Sequence, residues 1–102
     1  MVLVRNVFRL KFGKAKEAVE HWKQGTSVLK QLNFSKAPVR LLTDLAGADF
    51  YTLVMESTHD SIGDYEHAAF KIMNNDDWKR WYQNFVPLVE SGHREIFSIV
   101  NQ

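Results

Sequence analysis

One stretch constrains the fold more than any other: Asn74 to Val100, reading NNDDWKRWYQNFVPLVESG and then HREIFSIV. Its first part predicts a helix. Asn75 or Asp76 caps the free amide groups, and the acidic start suits the helix dipole. Trp78, Trp81, Tyr82, Phe85, Leu88 and Val89 recur at three- and four-residue steps, which makes one broad face apolar and aromatic. Pro87 inside this pattern predicts a kink or a break, because its ring removes a helical hydrogen bond. Gly92 is the expected stop. The second part alternates, carries β-branched residues and predicts a strand. Such a helix has to cover a sheet, and the rest of the chain supplies one.

In chain order, Val2–Phe12 reads as a strand. Val2, Val4, Phe8, Leu10 and Phe12 form one row, interrupted by Asn6, and Leu3, Arg5, Val7, Arg9 and Lys11 form the other. Lys14–Asn33 reads as an amphipathic helix with its stripe on Ala15, Ala18, Val19, Trp22, Leu29 and Leu32, and with a glycine, Gly25, in its interior. Val39–Thr43 and Phe50–Ser57 read as an antiparallel hairpin across the DLAGAD turn at residues 44–49. Thr58–Asp60 leads into a second helix capped by Asp60 or Ser61. Ile62, Tyr65, Glu66, Ala69, Phe70 and Met73 step along that helix. The order strand, helix, strand, strand, helix, strand predicts an α+β, ferredoxin-like βαββαβ domain over residues 1–102, with a four-stranded antiparallel sheet and helices on one face.

Composition narrows function mainly by exclusion. Thirteen basic and twelve acidic residues leave a formal charge of +1, which makes no electrostatic case for a nucleic-acid or membrane partner. No cysteine is present, so disulfides, thiolate catalysis and cysteine-ligated metals are excluded. The first residues carry charges throughout and form no secretory leader, so the expected location is cytoplasmic. His21, His59, His67 and His93 show no metal-site spacing, and the five glycines form no phosphate loop, so neither a metal nor a cofactor is expected.

The element order, together with the closing DDWKRWYQNFVPLVESGHREIFSIV, resembles the dimeric α+β barrel superfamily in its NIPSNAP-like and antibiotic-biosynthesis-monooxygenase-like branch. That resemblance implies a homodimer in which two sheets form a barrel with the helices outside. It also implies that Asn6 stands where oxygenase and haem-degrading relatives carry a pocket asparagine. The haem-degrading relatives further need a tryptophan and a histidine, whose places here fall near Ile72 and at Tyr82, so the chain departs from that pattern at two of three positions.

The residues agree on one point with the implied dimer: a sheet covered by helices on one face has to hide the other. That second face is expected to carry Arg5, Arg9, Arg40, Glu56 and either Arg94 or Glu95. The candidate pocket residues are Asn6, Trp22, Tyr65, Trp78, Trp81, Tyr82, Phe85 and His93. Aromatic rings with a few polar anchors build sites for flat apolar ligands, and Tyr65 supplies a hydroxyl. The same rings would equally fill a small core and a subunit seam. His93 shares a strand face with Glu95, an arrangement that orients an acid or base. Two functions fit these residues. One is binding of a small hydrophobic or aromatic molecule, with cofactor-free oxygenase-like activity. The other is a non-catalytic dimer used in stress response or as an interaction module.

Overall fold

In the computed structural model, which describes residues 1–101, the alternating N-terminal segment forms the central strand β1 (Val2–Leu10). It is followed by α1 (Ala15–Gln31), β2 (Arg40–Thr43), β3 (Thr52–His59), α2 (Ile62–Met73), α3 (Asp76–Phe85), a 3-10 turn (Val86–Leu88) and β4 (Val89–Ser98). The strands lie in the order β2-β3-β1-β4, and every pair is antiparallel. This is the predicted α+β architecture, a four-stranded sheet with three helices.

Local chemistry sets the element ends. Ser61 Oγ accepts from the Asp64 amide, and Asn75 Oδ1 accepts from the Trp78 amide, so both helix starts are capped as the sequence indicates. Helix α1 closes with Asn33 at φ 51°, with Asn33 N–H bonded to Lys30 O and Phe34 N–H to Leu29 O. That is a Schellman ending with asparagine in the left-handed position, and the buried Phe34 and Leu29 supply its apolar contact.

At the end of the aromatic helix one of the two expected effects of Pro87 is seen. The helix stops at Phe85, and Pro87 sits in the 3-10 turn, so the proline breaks the helix rather than kinking it. Gly92 therefore ends no helix. It lies inside β4 opposite Phe8, where an added Cβ would stand 3.2 Å from Val7 O and 3.3 Å from the Phe8 ring. Strand β1 ends at Leu10, and Phe12 is 72% exposed rather than core. On α2 the buried residues are Tyr65 and Ile72, while Ile62, Phe70 and Met73 are exposed.

Register separates the sheet's two faces. Val4, Asn6, Phe8, Leu53, Met55 and Arg94 belong to the helix-covered side. Leu3, Arg5, Val7, Val54, Glu56, Glu95 and Phe97 belong to the uncovered side, which resolves the alternative between Arg94 and Glu95 in favour of Glu95. There Glu56, 7% exposed, pairs with both Arg5 and Arg40, and Arg5 also reaches Glu95. No helix is long and apolar enough to cross a membrane among the described residues.

Candidate functional site

The aromatic helix α3 performs two jobs on two sides. One side clasps α1. The Trp81 indole N–H donates to His21 O at 2.7 Å, His21 Nε2 donates back to Trp81 O at 2.8 Å, and the two rings stack at 4.8 Å. Gly25 makes the clasp possible, because a Cβ there would lie 2.6 Å from the Trp81 ring. Trp81 is thus a core and helix-packing residue.

The other side of α3 roofs a cavity of about 960 Å³. Trp78, Tyr82 and Phe85 of α3 line it, with Tyr65 of α2, Trp22 of α1, and Asn6 and Phe8 of β1. Six of the eight residues singled out in the sequence, all except Trp81 and His93, lie on the helix-covered side and line this cavity. Trp22 is 1% exposed, and its indole N–H has no conventional acceptor among the described residues. The rings of Trp78, Trp81 and Phe85 pack against the Trp22 ring at steep interplanar angles.

His93 sits at the cavity's edge only as part of β4. It pairs with Val7, so its side chain belongs to the uncovered face, where Nε2 lies 3.5 Å from Glu95 Oε2. The expected proximity of His93 and Glu95 is present, and it is separate from the aromatic cavity.

Arg94 is the residue that sequence reasoning missed. Its Nε donates to Asn6 Oδ1 at 2.7 Å, and its Cζ lies 5.8 Å from the Tyr65 ring centroid. The available signal was register: Asn6 and Arg94 are direct cross-strand partners, which only the β1–β4 pairing reveals. Asn6 is 8% exposed at the cavity floor, whereas Arg94 stands exposed at the mouth. Burial raises the Tyr65 phenol above its ordinary value, against an opposing effect from Arg94, so the hydroxyl stays protonated at neutral pH. The apolar wall thus carries an amide, a guanidinium and a phenol close together, with Arg94 reaching both Asn6 and Tyr65. Among the described residues no group of three or more His, Cys, Asp or Glu side chains stands close enough to hold a metal ion.

Comparison with known proteins gives a structural answer. No family model and no curated protein sequence matches the chain. Solved structures do match. A NIPSNAP family protein from Agrobacterium tumefaciens superposes with a TM-score of 0.88 at 14% identity, over 98% of this chain and 93% of that one. An uncharacterized NIPSNAP domain protein from Burkholderia xenovorans gives 0.84 at 16% identity, over 98% and 95%. An antibiotic biosynthesis monooxygenase gives 0.75 at 12% identity, over 99% and 100%. With its βαββαβ order and β2-β3-β1-β4 sheet, the chain has the ferredoxin-like α+β fold that these NIPSNAP and monooxygenase structures share.

Proposed function

We propose that the chain is one subunit of a homodimeric α+β barrel and binds a small hydrophobic or aromatic molecule in the cavity between β1, β4 and helices α2 and α3. The observation that carries this reading is the make-up of the cavity. About 960 Å³ of space is walled by aromatic rings, with the amide of Asn6 set among them. That volume falls in the range of small-molecule sites, and the mixture of apolar wall and few polar anchors is theirs as well. The dimer is supported by the uncovered sheet face, where Leu3, Val7 and Phe97 lie beside the Arg5–Glu56–Arg40 network. The monooxygenase of the same fold extends the reading to cofactor-free oxygenase-like chemistry on the bound molecule, a step that turnover assays on copurified compounds would test.

The cavity is tested with 1-anilinonaphthalene, a neutral dye that brightens in apolar surroundings. Saturable binding at one site per subunit is expected. Replacing Ala69, which lines the cavity from α2, by tryptophan should weaken it about tenfold or more, or ~1.4 kcal/mol. Equal binding by the wild type and a folded Ala69→Trp variant would overturn the pocket reading in favour of an interaction module.

A further inference from the structure

We propose that the ligand is an anion: a flat aromatic or hydrophobic molecule with a carboxylate, held end-on by the Arg94 guanidinium, which Asn6 fixes in place. This inference rests on the pocket reading above and names the chemical class of its ligand.

The pairing of the arginines points to it. Arg5 and Arg40 pair with Glu56, Arg9 with Glu90 and Arg80 with Asp77. Arg94 alone has no carboxylate within 4.0 Å among the described residues, and it is the arginine at the cavity mouth. Its neighbours are an amide oxygen and an aromatic face, both of which orient a guanidinium without neutralising it. An aspartate at position 6 would have held Arg94 equally well and cancelled its charge. Asparagine leaves the full charge available to something else.

Geometry makes that charge selective. The bond to Asn6 occupies Nε, so the edge between the two terminal nitrogens is left for a partner. Two parallel N–H groups on that edge match the two oxygens of a carboxylate. The fork is anchored by neighbouring strands and not by a loop, because Asn6 and Arg94 are register partners in the sheet. The other charges at the cavity favour the same sign of ligand. Lys79 adds a second cation, and Glu90 is engaged by Arg9 at 3.7 Å. A ligand ring against Trp78 and Tyr82 would cover the mouth and strip water from the ion pair, which strengthens it.

Competition against bound 1-anilinonaphthalene tests the inference with 2-naphthoate and 2-naphthamide, which differ in charge and hardly in shape. Naphthoate should displace the dye at about tenfold lower concentration than naphthamide. Arg94→Gln should bring that ratio close to one. Asn6→Asp should do the same by neutralising the arginine in place. Arg80→Gln, a change of equal charge on the outer side of α3, should leave the ratio unchanged. Equal displacement by acid and amide, no displacement by the acid, or a ratio that survives Arg94→Gln would each overturn the anion inference while the pocket stands. Failure of the dye itself to bind would instead remove the pocket and the inference together.

Discussion

His59 shows how a single side chain ties strand length to pH. Residues Thr58 and His59 read as the approach to a helix, yet they extend β3 because Leu3 and Val2 are available to pair with them. Alternation then carries the histidine to the helix-covered side, 4% exposed, with its Nε2 2.9 Å from Ser57 Oγ and its ring edge-on to Phe34 and Tyr65. Burial pushes its pKa below the ordinary 6.5, and Asp64 on α2 offsets this only in part. In the unfolded chain the same histidine takes up a proton near pH 6.5, while in the folded chain it resists doing so. Its contribution to stability is therefore complete above about pH 6.5 and is lost as the pH falls toward the lower folded value. The melting temperature of the wild type should drop between pH 7 and pH 5 more steeply than that of His59→Gln. Parallel curves for the two proteins would show that the buried imidazole is not the titrating group. The sequence lists this histidine without revealing any of it, because burial at a strand end depends on where the partner strand stops.

At the scale of elements, what was legible followed from periodicity and caps, and what was not followed from contacts between elements. Ser61 and Asn75 announced their helices, and the alternation of β1 announced its faces. Pro87 announced a kink or a break, and the apolar pattern running on through Leu88 and Val89 left the choice between them open. Six cavity residues were legible as a class, while their separation from Trp81 was not, since it depends on how α3 rolls against α1. Gly25 carries that information. Read alone, a glycine inside a helix costs about 1 kcal/mol relative to alanine, so Gly25→Ala ought to stabilise. In the fold a Cβ would sit 2.6 Å from Cε2 and Cζ2 of Trp81, a ring only 5% exposed and bonded to His21 O. Overpacking of this kind costs about 1–3 kcal/mol and outweighs the propensity gain. Gly25→Ala should lower the melting temperature by roughly 4–8 °C per kcal/mol of net loss. In a Trp81→Leu background the same change should become neutral or stabilising, and calorimetry on the double-mutant cycle measures the difference. A stabilising Gly25→Ala in the wild-type background would mean that α3 is free to move away from α1.

For the whole molecule the open question is what lies against the sheet's second face. Helices α1, α2 and α3 all lie on one side, so the other side presents Leu3, Val7 and Phe97 around a carboxylate, Glu56, that is already buried between two arginines. A buried ion pair is stabilising only when water is kept from it and its hydrogen bonds are filled, and Arg5 Nε, 3.2 Å from Glu56, forms no well-directed bond among the described residues. A second copy of the same face, related by a two-fold axis, would cover the apolar residues and supply further partners to that network. Strand β4 adds an edge of ten residues, Val89–Ser98, paired on one side by β1. An unpaired edge of that length is usually covered or blunted. Native mass spectrometry should therefore give a species of about twice 11.9 kDa. The melting temperature should also rise with protein concentration, as mass action requires of a dimer. Leu3 and Phe97 are cross-strand partners on this face, so Leu3→Lys with Phe97→Lys sets two like charges side by side in each subunit and four across the seam. That variant should run as a monomer and still bind 1-anilinonaphthalene, because the cavity lies on the opposite side of the sheet. A wild-type protein that stays at 11.9 kDa at micromolar concentration would show that the sheet face meets solvent, and would remove the barrel while leaving the cavity to be judged by its own tests.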